Sequence, residues 1–129
     1  MSDNLSERAS AMRDFIARQT GTTVRHEFHP AYRSKVLCTD GVKEVSQKFG
    51  VWWVAEDAVT RARTDARLKE CDNLIFRLHR DERTLKVYNM DEEEVASFAY
   101  QMVNCPVEVY ELWLMCEDDI WILLLPSEY

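Results

Sequence analysis

Three side chains in the first third of the chain have the chemistry of metal ligands: His26, His29 and Cys38. A structural zinc site uses four such ligands, in two short-spaced pairs. The second pair is missing here, so the sequence favours solvated loop histidines over a metal site. Cys71 and His79 flank one extended run and lie too far apart along it to work as nucleophile and base. The only glycines are Gly21, Gly41 and Gly50, and none belongs to a phosphate-binding GxxxxGK[ST] loop. Glu56 and Asp57 are neighbours, and successive helical residues point about 100° apart, so a helix would aim only one of them into a pocket. An acid–base pair with a strand residue such as Glu111 is the weaker reading of these carboxylates. Arg61, Arg63, Arg67 and Lys69 could meet nucleic acid, but cations near a helix C-terminus already satisfy the macrodipole there. With a net charge of −7 the structural reading is preferred.

The acids carry more information. Residues 1–86 hold all 16 Lys and Arg against 13 Asp and Glu, whereas residues 87–129 hold 10 acids and no base. Asp91, Glu92, Glu93 and Glu94 form one cluster and Glu117, Asp118 and Asp119 another, with Glu108 and Glu111 between them. Crowded like charges repel, so a basic partner is inferred for this third of the chain. Trp113 and Trp121 lie in the same stretch and are the candidate apolar anchors. The sum of charges opposes direct contact with nucleic acid or with an anionic membrane surface.

These residues must be positioned by elements that the hydrophobic pattern predicts. Leu5, Ala9, Met12, Phe15 and Ile16 recur at helical steps, giving a first helix over 1–21 at the margin of the core, with Ser2 or Asp3 as its cap and Gly21 as its end. A Thr39/Asp40 cap, Val42, Val45, Phe49 and a closing Gly50 predict a short second helix. Val51, Val54, Ala55, Ala58, Val59 and Ala62 predict the central helix, over 51–66. The segment containing Pro30 reads as loop or a short edge strand. NLIFRLHR and TLKVYNM around DERT read as a β-hairpin. Asp91 and Glu94 have capping-box spacing, and Val95, Phe98, Ala99 and Met102 follow helical steps, so 91–103 is predicted helical. The runs 107–115 and 120–125 are predicted strands around an acidic turn, the last of them inside the sheet and closed by Pro126.

With 129 residues and 47% hydrophobic residues, one domain spanning 1–129 is expected. No stretch approaches the length of a membrane span, and the N-terminus lacks a secretory pattern, so a cytoplasmic location follows. There the four cysteines stay reduced, as small, mostly buried hydrophobes. The expected architecture is α+β: an antiparallel sheet of four or five strands with the 51–66 helix across one face.

TDGVKEVSQKFGVWWV, from Thr39 to Val54, and LLLPSEY, from Leu123 to Tyr129, resemble a family of small domains found in bacteria and on phages and plasmids. The chain departs from the family pattern in its long N-terminal helix and in the DEEEVASFAYQ segment, where the relatives look more strand-like. The resemblance supplies no activity, catalytic residue or cofactor. It does imply a mobile-element setting, in which small acidic proteins, anti-CRISPR proteins among them, block host defence complexes. The expected function is therefore non-enzymatic: stoichiometric binding to a host protein whose basic, nucleic-acid-binding surface the acids would occupy. The alternatives are a small-molecule or enzymatic pocket between helix and sheet, and a homodimer. The closing PSEY is read as a structural lock on the core, with Trp52 and Trp53 as neighbours.

Overall fold

A computed structural model describes residues 2–19, 25–28, 36–68, 71–117 and 120–128. Its elements follow from local chemistry. Thr39 ends a strand in extended backbone, and its hydroxyl accepts the Val42 N–H at 3.3 Å, so the chain turns at once into α2 (Asp40–Phe49). Gly50, at φ 68°, ends α2 in the left-handed region, and its N–H reaches the Ser46 carbonyl. After Val51, α3 (Trp52–Thr64) begins, and Val54, Ala55, Ala58, Val59 and Ala62 form its buried stripe. α1 (Ser2–Arg18) lies against α2, where the Phe15 and Phe49 rings meet edge to face with centroids 5.9 Å apart.

The strands are β1 (Arg25–Phe28), β2 (Val36–Thr39), β3 (Asn73–His79), β4 (Thr84–Tyr88), β5 (Glu94–Ala99), β6 (Val109–Glu117) and β7 (Ile120–Leu124). They form one sheet in the order β1-β2-β7-β6-β3-β4-β5. All neighbours are antiparallel except β2 and β7, which run parallel. A short 3₁₀ turn, Pro126–Glu128, follows β7. Period-2 alternation divides the sheet. Leu74, Phe76 and Leu78 of β3, Leu85 and Val87 of β4, Leu112 and Leu114 of β6 and Leu123 of β7 join the α3 stripe, Val42, Val45 and Met12 in one hydrophobic core.

The fold is thus α+β, with the central helix where the sequence placed it, the 73–88 hairpin intact and β7 inside the sheet. Two expectations need correction. Among the described residues the sheet has seven strands and is mixed, rather than four or five and antiparallel. β1 takes the edge position that the sequence offered as one option for the segment containing Pro30, while β2 and β5 are added; β2 is too short to show a period of its own and exists because β7 offers it a ladder. Residues 91–103 are not a helix either. Of the expected helical stripe only Val95 and Phe98 pack against the core, whereas Met102 is 81% exposed and Ala99 is exposed, and Ala96, off that stripe, is buried and pairs with Val87. The Asn89 side chain accepts the N–H groups of Asp91 and Glu93 at 3.0 and 2.9 Å, and Glu92 takes φ 62°. These acids therefore build a tight turn into β5, and the open edge of β4 outcompetes local helix propensity.

Candidate functional site

Among the described residues the helices leave most of the other face of the sheet to a second set of alternating residues, and α1 borders it only at the end where Arg13, Ile16 and Ala17 line a cleft with Val109 and Glu111. Its register is a series of rows. Leu124, Trp113, Ile75 and Tyr88 are consecutive cross-strand partners on β7, β6, β3 and β4. Beside them runs the row Leu37, Ile122, Met115 and Asn73. Towards the opposite end come Glu111, Arg77, Lys86 and Ser97, then Val109, His79, Thr84 and Ala99. Ile75 and Leu124 are buried but stand outside the main core, while Leu37, Trp113, Met115, Ile122 and Tyr88 are half-buried and Val109 is 50% exposed. One half of this face is apolar and accessible. A sheet face that only meets water usually alternates towards polar residues.

The acids gather beyond that apolar half. β4 ends and β5 begins at the sheet end where β6 finishes and β7 starts, as the pairs Ile75–Tyr88, Asn73–Met115 and Glu117–Ile120 require. Asp91, Glu92, Glu93 and Glu94 are exposed there. Asp118 and Asp119 lie outside the described residues, as does the Glu117 side chain. Glu108 is exposed just before β6, at the other end of the sheet. Two of the expected binding acids are held internally. The Arg77 guanidinium donates to Glu111 at 2.6 Å and to Glu92 at 2.8 Å, and sits 4.7 Å from the centre of the Tyr88 ring. These partners, Glu111 foremost, push the Arg77 pKa up. The Trp113 indole N–H also donates to Glu111, at 2.7 Å. Trp121 pairs with Val36 and Cys116 and packs against the core on the helix side, so Trp113 and not Trp121 belongs to the open face.

A second constellation lies where α3 meets the end of β5. Trp53, Glu56, Asp57, Thr60 and Tyr100 line a cleft of about 330 Å³. Tyr100 donates its phenol proton to Asp57, which also accepts from Arg61 Nε at 3.2 Å. Burial, and then the hydrogen bond to Asp57, raise the Tyr100 pKa. The Trp53 indole donates to the Asn104 carbonyl at 3.0 Å and meets the Tyr100 ring nearly at right angles, with centroids 5.7 Å apart. Arg61 stacks over Phe98 at 4.3 Å. Both neighbours Glu56 and Asp57 therefore face one cleft, although 100° apart, because its mouth spans the helix shoulder. Glu111, the strand residue offered as an acid–base partner for them, sits on the opposite face with Arg77.

The quoted motifs TDGV and LLLPSEY meet in space. Glu128 accepts from the Thr39 hydroxyl at 2.5 Å, from the Leu125 N–H at 3.0 Å and from the Gly41 N–H at 3.3 Å. A Cβ on Gly41 would stand 2.7 Å from that carboxylate, so any side chain there would push Glu128 out of the lock. An anion here also suits the N-terminus of α2. This is the structural lock the sequence suggested, but its partners are Thr39 and Gly41, while Trp53 turns instead to Tyr100. Cys38 lies beside it, and burial pushes its thiol up to about 11. The deeper Tyr110 phenol is raised too, chiefly by burial.

Sequence reasoning missed Arg77 as a counter-ion and Tyr100 as the partner of Asp57. The first was within reach, because the hairpin alternation puts Arg77 on the same face as Glu111; the second depends on how α3 crosses the sheet edge. The side chains of His26 and His29 lie outside the described residues, and among the described ones no group of three or more His, Cys, Asp or Glu is placed to hold a metal ion. Cys38 and Cys105 are buried and Cys71 and Cys116 half-buried, all of them free thiols. Among the described residues no helix is long and apolar enough to cross a membrane.

A family model described as "Family of unknown function (DUF6876)" matches residues 10–129, and the chain belongs to this family. No curated protein and no solved structure matches it.

Proposed function

We propose that this member of a family of unknown function is a protein-binding module that uses the open apolar half of the sheet face opposite the core, with the acids at one end of that face steering a basic partner onto it. The observation that carries the reading is the row Leu124–Trp113–Ile75–Tyr88 with Met115 and Ile122 beside it, half-open and ending at the turn that bears Asp91, Glu92, Glu93 and Glu94. An apolar centre with a charged margin is the anatomy of a protein interface. Trp113 supplies the anchor, and the carboxylates supply association rate and salt sensitivity. Arg77 takes up Glu92 and Glu111, so Asp91, Glu93 and Glu94 carry the steering within the described residues. The specific form proposed is inhibition of a nucleic-acid-handling host complex of the defence class, whose cationic channel offers the complementary charge.

The test is capture from host lysate by the immobilised chain at low and high salt, beside two variants: Trp113→Ala with Met115→Ala, and Glu93→Lys with Glu94→Lys. The reading expects one basic protein retained at low salt, released as screening rises, and lost with both variants. Retention of the same protein by both variants would refute it. A chain that forms a salt-insensitive homodimer through this face, seen by light scattering, would refute it as well.

A further inference from the structure

We infer that β5 pairs with the β5 of a second copy of this chain, antiparallel and about a two-fold axis at Ser97. The contact lies on the rim of the sheet and stands apart from the apolar face proposed above for a basic partner. β5 is the last strand of the sheet, so its outer side has no neighbour among the described strands. The Tyr100 N–H donates to the Arg83 carbonyl at 2.9 Å, and strand alternation then turns the backbone groups of Ala96 and Phe98 towards β4 and those of Ser97 and Ala99 outwards. Among the described residues those outward groups make no hydrogen bond. Sheet edges are normally blunted by lysine, proline or a bulge. EVASFA holds neither lysine nor proline, and its register shift falls near Glu94, beside Val87 and Tyr88, which leaves 96–99 regular.

Charge selects a second copy as the occupant. At the start of β5, Glu93 and Glu94 are exposed and meet no cation among the described residues, since Arg77 takes Glu92 instead. At the other end, Arg80 pairs with Asp81 and Lys86 with Glu82, which leaves Arg83 without a carboxylate among the described residues. Arg83 reaches instead to the Gln101 carbonyl, at 3.1 Å, just beyond the strand. The edge is therefore negative where it starts and positive where it ends, and an antiparallel copy presents the reverse order. With Ser97 against Ser97 and Ala96 against Phe98, Glu93 and Glu94 of each copy run beside Arg83 and Gln101 of the other. A parallel copy would set acids against acids. A six-residue edge buries less surface than a permanent interface, so the dimer dissociates on dilution.

The experiment is sedimentation velocity on the full-length chain across a range of concentrations, at low and high salt and with no partner present. The expected result is a monomer–dimer equilibrium that weakens as salt rises. Ser97→Pro removes an N–H that the monomer leaves unpaired, so it should abolish the dimer and spare the fold. Arg83→Glu should weaken association by about tenfold, the size of two exposed charge pairs, and adding Glu93→Lys with Glu94→Lys should restore it. That exchange of charges keeps the test decisive if Ser97→Pro fails to fold. A chain monomeric at every concentration, a dimer kept by Ser97→Pro, or no recovery on exchanging the charges would each overturn the inference. So would a dimer lost with Trp113→Ala and Met115→Ala, which would move the contact to the open face.

Discussion

The two faces of one sheet use the same strands differently. On the covered face, Phe76, Leu78, Leu85, Leu112, Leu114 and Leu123 are buried to at most 1% exposure beneath the helices. On the open face, one residue along in each strand, Ile75 is buried next to Trp113 and Tyr88, and those two neighbours stay half-open. The difference teaches where selection for stability stops. Side chains between sheet and helix hold the fold, whereas apolar side chains left half-exposed across four strands gain little from folding and gain more from a partner.

The largest effect should separate the faces directly. Phe76→Ala opens a cavity under α3 and should lower the unfolding free energy by about 3–5 kcal/mol in urea denaturation, while Met115→Ala on the open face should change it by less than about 1 kcal/mol. Similar losses for both would mean that the open face is also structural.

Next in size is an alkaline effect specific to the covered side. The Cys38 thiol is raised from 9.0 to about 11 by burial, so below pH 9 the folded and unfolded chains both keep the proton and stability is complete. Between pH 9 and 11 the unfolded thiol ionises first, and about 2–3 kcal/mol is lost as pH rises. Urea midpoints measured from pH 8 to 11 should fall, and Cys38→Ala should flatten that part of the curve.

Smaller again is the lock between the two ends. Glu128→Ala should cost about 1–3 kcal/mol by leaving Thr39 and two amides short of an acceptor. Gly41→Ala should cost a similar amount by expelling the same carboxylate, and the double variant should cost no more than Glu128→Ala alone. Additive losses in this cycle would show that Gly41 and Glu128 act separately.

The smallest stability change belongs to the open face. Arg77→Met should lower stability by about 1 kcal/mol, because its ion pairs are partly solvated. It frees Glu92 and Glu111, however, so the low-salt capture of a basic partner should strengthen. Weakened capture would place Arg77 itself in the contact.

What the sequence disclosed follows the range of the forces involved. The Thr39 cap, the Gly50 ending, the α3 stripe and the 73–88 hairpin are set within a few residues of themselves, and all four were legible. β1 was legible only as one of two options, a short edge strand or a loop, and β2 was not separately legible, because four-residue strands owe their existence to a partner distant in the chain. The 91–103 segment misled because acids at cap spacing suit a helix start and a turn equally, and only the free edge of β4 decides between them. At the candidate site, the exclusion of bases from residues 87–129 pointed to the acidic sheet end, but composition cannot show that a base from outside that stretch, Arg77, folds onto two of its acids. Trp113 and Trp121 looked equivalent in sequence; strand parity sends them to opposite faces.

That parity gives the most direct test of the central claim. The chain labelled with 5-fluorotryptophan has four fluorine resonances, from Trp52, Trp53, Trp113 and Trp121. On addition of the basic protein retained at low salt, the account predicts that the Trp113 resonance moves and the Trp121 resonance stays in place. A bound complex in which Trp121 moves and Trp113 does not would contradict it.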